Sequence, residues 1–133
     1  MTVQDIFRTH PEPTKVDQNA LLRCIEECIE CAPSCTSCAD ADLAEVDVRE
    51  MVRCIRLCLD CADVCDTTAR IAIRQTAPDL VVLQAIVEAC AAACHACGDE
   101  CERHAAHHQH CRICADVCRR CEQACSDLVA TIG

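Results

Sequence analysis

The chain has 133 residues, 18 cysteines, a single aromatic residue (Phe7) and a formal net charge of -10. That length suits one domain with a buried core, but Trp and Tyr are absent, so the usual bulky core material is missing. The negative charge argues against nucleic acid and anionic membrane surfaces as partners.

This much cysteine in a short chain ordinarily marks a disulfide scaffold. Such scaffolds come with a secretory leader and with loops rich in Gly and Pro. Here there are 2 Gly and 4 Pro, and the opening MTVQDIFRTHPEPTK has no basic start, no apolar run and no twin arginine. No stretch reads as the roughly 18 apolar residues of a membrane span. The expectation is a cytoplasmic chain whose thiols stay reduced.

In chain order, residues 2–9 are predicted as a short extra helix held down by Ile6 and Phe7. A first long helix is expected over about 17–40, with Thr14 as N-cap and Asp17 three residues on. Pro33 lies inside it and predicts a kink. ADADLAEVD (39–47) reads as an acidic turn region. A second helix follows over about 47–74, where Asp47 and Glu50 have capping-box spacing. After QTAPD (75–79), a third is expected over about 77–104, with Pro78 in its first turn. The fourth covers about 109–131. His104 and His108 carry the cysteine register on to Cys111, so 78–131 reads as one helix by pattern alone. That helix would be about 80 Å long, twice its neighbours, so a turn is placed within 105–108.

Each long helix carries cysteines stepping by 4 and 3. They are Cys24, Cys28, Cys31, Cys35 and Cys38; then Cys54, Cys58, Cys61 and Cys65; then Cys90, Cys94, Cys97 and Cys101; then Cys111, Cys114, Cys118, Cys121 and Cys125. This step keeps every thiol in a narrow stripe of a 3.6-residue helix, where a bundle core lies. The prediction is an all-α, antiparallel four-helix bundle, one metal-binding domain, with cysteine stripes facing one another. Sixteen of the thiols sort into C-x-x-x-C pairs, leaving Cys38 and Cys111 single at the same end.

Eighteen cysteines make a poor apolar core, because Leu or Ile buries more area. Thiols at i and i+4 have Cβ atoms about 5–6 Å apart, too far for a disulfide at roughly 3.5–4.5 Å. A metal between two sulfurs sets them roughly 4.6 Å apart, within reach of such a pair. Soft thiolates select Cu(I), zinc or iron–sulfur clusters. Zinc wants four ligands and would have to bridge helices at nearly every level. Clusters favour wrapping loops. Cu(I) accepts two or three sulfurs, and bridging ones. A buried thiolate must also be neutralised, which predicts on the order of one Cu(I) per cysteine, filling from the C-x-x-x-C pairs.

Extended one step, the stripes reach Met51, His104, His108, His110, Cys38 and Cys111 at one end, with His107 close by. At the other end they reach Leu21, Thr68, Val87 and Leu128. Thioether and imidazole also ligate Cu(I), so Met51, His104, His108 and His110 are expected to bind metal at the mouth through which it passes. His95 and His10 read as structural or exposed.

The repeated C-x-x-x-C figure over about Leu21 to Leu128 resembles the bacterial copper storage proteins, and the lack of an export signal resembles their cytosolic branch, as does the His-containing mouth. The resemblance implies a four-helix bundle binding many Cu(I) ions, without catalysis, and a homo-oligomer, typically a tetramer. Leu22, Ile29, Val52 and Leu59 fall away from the stripes and are candidates for an apolar outer face that a partner subunit covers. The alternative is a zinc or cadmium thiolate buffer of metallothionein type. A dithiol redox protein is disfavoured because C-x-x-C pairs follow automatically from a 4-3 ladder and nothing reads as a strand.

Overall fold

The computed structural model describes residues 2–132. Among them lie α1 (Thr2–Arg8), α2 (Gln18–Leu43), a 3-10 turn (Val48–Met51), α3 (Val52–Ile73), α4 (Leu80–His104) and α5 (Gln109–Ile132), with no strand. α2 packs against α3 and α5, and α4 packs against the same two. α2 and α4 therefore share one diagonal of the bundle, and α3 and α5 share the other.

Sulfur contacts give the helix directions. Cys24 near the start of α2 meets Cys125 near the end of α5 at 3.7 Å. Cys54 at the start of α3 meets Cys101 at the end of α4 at 3.8 Å, and Cys65 meets Cys90 at 3.7 Å. Neighbouring helices are thus antiparallel, while the diagonal pair α2 and α4 runs in one direction, with Cys28 near Cys90 and Cys35 near Cys97. The bundle is the one the cysteine stripes predict, and the turn between α4 and α5 falls at 105–108.

The helix ends differ in detail. Asp17, not Thr14, caps α2: its Oδ1 accepts the Ala20 N–H at 2.8 Å, while Thr14 Oγ1 donates to the Val16 carbonyl. α4 starts at Leu80, two residues beyond Pro78, because Asp79 Oδ1 accepts the N–H groups of Val81 and Val82 at 3.0 and 3.1 Å. Asp47 makes no cap bond. Its carboxylate is taken by His108 at 3.1 Å, and a 3-10 turn precedes α3 instead. α2 runs through Pro33 as one continuous helix to Leu43. Cys31, Cys35 and Cys38 on both sides of the proline stay buried.

Phe7 anchors α1 and is buried, whereas Ile6 is exposed. The Gln75 side-chain amide donates to the Phe7 carbonyl at 3.2 Å and ties α1 to the end of α3. Leu22 also corrects the sequence reading. It belongs to the buried core and not to an outer face, whereas Val52 and Leu59 are exposed and Ile29 half-buried. A second correction concerns α4, which by length and composition alone is apolar enough to cross a membrane. In the fold it buries Leu83, Val87 and its four cysteines inside the bundle.

Asp79 satisfies two otherwise orphaned N–H groups at the start of α4. Asp79→Ala should cost about 1 kcal/mol of stability, read as a lower urea midpoint for the reduced, metal-free protein.

Candidate metal centre

No cysteine is more than 3 % exposed, and all are free thiols. Within single helices, Cys31 and Cys35 lie 3.7 Å apart at sulfur, Cys61 and Cys65 3.8 Å, and Cys97 and Cys101 4.0 Å. Contacts between helices are more numerous and as short. Examples are Cys35 to Cys118 and Cys58 to Cys97, both at 3.6 Å, and Cys28 to Cys121 and Cys65 to Cys94, both at 3.7 Å. The C-x-x-x-C pairs are therefore parts of a three-dimensional sulfur lattice.

The lattice contains groups of four sulfurs lying within 4.8 Å of one another. One is Cys28, Cys90, Cys121 and Cys125. A second is Cys31, Cys65, Cys94 and Cys121, and a third is Cys31, Cys35, Cys61 and Cys118. Cys35, Cys97, Cys114 and Cys118 form another, and Cys38, Cys58, Cys101 and Cys114 another. Bridging between helices at successive levels, which counted against zinc in the sequence, is thus present. Charge separates the candidates instead. A divalent ion among four thiolates leaves two negative charges in an apolar interior, which is costly. Cys31, Cys35, Cys114, Cys118 and Cys121 each belong to two groups, and sulfurs shared between monovalent ions approach neutrality at one ion per thiolate.

Neighbouring thiols share protons. Hydrogen bonding with Cys114 and then Cys118 holds Cys35 above the ordinary thiol range, and burial adds to this. Hydrogen bonding with Cys118 and Cys121 holds Cys31 below it. Cys24, bonded to Cys125 and Cys28, is pulled down to about 5. In such rows one sulfur ionises only while its neighbour keeps a proton, so a filled array requires cations to replace the protons.

The two ends of the lattice differ as expected. Leu21, Thr68, Val87 and Leu128 close one end and are all buried. At the other end, His110 Nδ1 lies 3.4 Å from Cys38 Sγ and 3.7 Å from Cys111 Sγ. Its Nε2 is 3.3 Å from Glu45 Oε1. His104 Nε2 bonds Glu100 Oε2 at 2.9 Å. His108 is held at both ring nitrogens, by Glu45 at 2.9 Å and Asp47 at 3.1 Å. The hydrogen bond with Asp47 raises its pKa, with Glu45 and Asp42 adding their charges. Both ring nitrogens of His108 are therefore engaged by carboxylates. Met51 is fully buried at the end of the 3-10 turn, and His107 is exposed. His95 is exposed between Asp99 and Glu122.

The sequence reading missed the carboxylates at this end. Asp42 is fully buried, with Oδ1 3.6 Å from Cys111 Sγ and 3.7 Å from His110 Nδ1. The signal was present, because Asp42 continues the 4-3 step beyond Cys35 and Cys38. Burial first, then a hydrogen bond with Cys54, raises its pKa to about 7. Burial, followed by the charges of Cys54 and Asp42, raises Cys111.

A model of the copper storage protein family matches residues 17–130. The fold is similar to the copper storage protein Ccsp of Streptomyces lividans loaded with 10 copper equivalents, at 53% identity and a TM-score of 0.94, covering 97% of this chain and 98% of that one. A cytosolic copper storage protein from Streptomyces lividans with five coppers aligns at 55% identity and a TM-score of 0.85, covering 86% and 96%. The Cu(I)-bound copper storage protein Csp3 of Bacillus subtilis aligns at 36% identity and a TM-score of 0.70, covering 80% and 94%.

Two outcomes follow from this geometry. A thiol reagent should find all 18 cysteines in denaturant but react slowly with the native, metal-free protein, because no cysteine is more than 3 % exposed. A burst of several thiols under native conditions would contradict the burial. The second outcome concerns pH. The folded pKa of Asp42, about 7, exceeds its unfolded value of about 4. Its contribution to metal-free stability is complete below about pH 4 and is lost as pH rises through about 7. In urea denaturation, Asp42→Asn should lose less stability across that window than the parent.

Proposed function

The chain belongs to the copper storage protein family, and on that premise we propose that it is a cytoplasmic, high-capacity Cu(I) store that performs no catalysis. The observation that carries this reading is the sulfur lattice: 18 buried free thiols in overlapping groups, so that each ion finds several sulfurs and many sulfurs can serve two ions. Soft thiolate donors select Cu(I). Charge neutrality in the interior sets the capacity on the order of one Cu(I) per cysteine. The metal-ligating residues are Cys24, Cys28, Cys31, Cys35, Cys38, Cys54, Cys58, Cys61, Cys65, Cys90, Cys94, Cys97, Cys101, Cys111, Cys114, Cys118, Cys121 and Cys125.

Ions enter and leave at the His-bearing end, past Met51, His104, His108 and His110, because the opposite end is sealed by aliphatic side chains. Loading moves protons outward as cations replace them on sulfur. The Cu(I)-bound and cytosolic relatives support the oxidation state and the compartment. The exposed Val52 and Leu59 support assembly into a homo-oligomer, a tetramer by resemblance to the family.

The reading is tested by anaerobic titration of the reduced protein with Cu(I) against a chromogenic chelator, with zinc in parallel. Saturation on the order of one Cu(I) per thiol is expected, with zinc failing to displace copper. Saturation at a handful of ions would overturn it. Substituting Met51, His104 and His108 should change loading and removal rates while leaving capacity nearly unchanged. A large fall in capacity would refute their place at the mouth.

A further inference from the structure

The sealed end of the bundle carries a cavity of about 250 Å³ that neither storage nor metal passage uses. It is bounded by the linker before α2, the end of α3, the loop at 74–79 and the start of α4. Its walls are mostly apolar, formed by Val16, Leu21, Ile71, Leu80, Val82 and Leu83. Two cations, Lys15 and Arg74, stand among these residues, and both are exposed. Among the described residues, the arginines in ion pairs are Arg23, Arg53, Arg56, Arg103, Arg119 and Arg120, which leaves Lys15 and Arg74 free. Asp79 is the one acidic group in the lining, and it already accepts the N–H groups of Val81 and Val82.

Volume and charge define a ligand class. An apolar cavity of about 150 Å³ takes one benzene, so this one holds roughly ten non-hydrogen atoms by the same ratio. Apolar walls select a hydrocarbon body. The rim selects the head group. The chain carries a net charge of -10, yet this lining has two positive groups against one negative. The Arg74 guanidinium offers a planar fork that matches a carboxylate, and Lys15 adds a second positive charge beside it. The backbone is also strained here. Ala77, another lining residue, has φ 49°, a left-handed conformation that alanine adopts only at a cost. Strain of this kind is found at ligand clamps.

We infer that this cavity binds a small amphiphilic monocarboxylate, of the class of a medium-chain fatty acid, with its tail between α3 and α4 and its head group on Lys15 and Arg74. No cysteine lines the cavity, but Leu21 both lines it and closes the sulfur lattice. An occupant therefore braces the sealed end without touching a sulfur. The site does not depend on storage being the function.

The test is calorimetric titration of the reduced, metal-free protein with sodium octanoate at low salt, with 1-octanol as the uncharged probe. Octanoate should bind as one saturable equivalent, with a Kd of about 10–100 µM, and octanol about tenfold more weakly or worse. The double variant Lys15→Ala, Arg74→Ala should weaken octanoate about tenfold or more and leave octanol nearly unchanged. Ala72→Leu, which fills the cavity, should abolish both, whereas Arg56→Ala on the outer face of α3 should alter neither. Lys15 is the sole lysine, so octanoate should also slow its modification by an amine-reactive reagent, read by mass spectrometry. Far-UV circular dichroism checks folding, and the exposed Lys15 and Arg74 positions carry the test if Ala72→Leu does not fold. Octanol binding as tightly as octanoate, indifference to the double variant, or no saturable binding would each overturn the inference. So would a change of oligomeric state in Leu80→Ser, Val82→Ser without octanoate binding, which would give the cavity to a second copy of the chain. Copper capacity, read separately with the chelator, should be the same with and without octanoate. Loss of octanoate binding with capacity intact sinks only this site, and loss of capacity with octanoate binding intact sinks only the storage reading.

Discussion

A sulfur anion in an apolar interior needs a cation beside it. That requirement organises this bundle. The sequence spends its core positions on 18 cysteines, and the fold buries every one. Without metal the interior is held by thiols that share protons with their neighbours, in van der Waals and weak hydrogen-bonding contact, with sulfurs 3.6 to 4.0 Å apart. With metal, ionised sulfurs can stay inside only if positive charge enters in step. The proposed capacity, preference for a monovalent ion and outward release of protons all rest on that one electrostatic condition.

The same condition explains why the bundle has two unlike ends. A closed array would need no polar groups at its termini, and the end formed by Leu21, Thr68, Val87 and Leu128 has almost none. The other end gathers imidazoles and holds three of them, His104, His108 and His110, with carboxylates. Glu45 reaches both His108 and His110, whose rings lie 5.7 Å apart. Glu100 holds His104, and Asp47 holds the far side of His108. Such pairing fixes which ring nitrogen is free. His110 is left with Nδ1 facing sulfur, while His108 has neither nitrogen free.

Much of this was legible in the sequence because a 4-3 step has only one meaning on a helix. It located the four long helices, their inward faces and the sealed end. Length alone forced the turn after His104, since an unbroken helix would have had nothing to pack against. What escaped detection depends on neighbours distant in the chain. The pairing of His108 with Glu45 and Asp47 joins residues some sixty positions apart, and no local pattern announces it. Leu22 looks outward by helical phase yet is buried, because the stripe that defines inside marks only the bundle axis. The capping residue of α2 was misplaced by three positions, since Thr14 and Asp17 are both good caps and only tertiary packing decides between them. The sulfur groups, too, are products of four helices meeting, so intrahelical spacing alone overstated the importance of C-x-x-x-C pairs.

The central claim is that copper resides among shared sulfurs in the bundle interior. Copper-edge X-ray absorption on the protein loaded to saturation tests it most directly. The account predicts a Cu(I) edge, a shell of about two to three sulfurs per ion and a second shell of nearby copper, as sulfur bridging demands. A shell dominated by nitrogen or oxygen, or isolated copper with no metal neighbours, would contradict it.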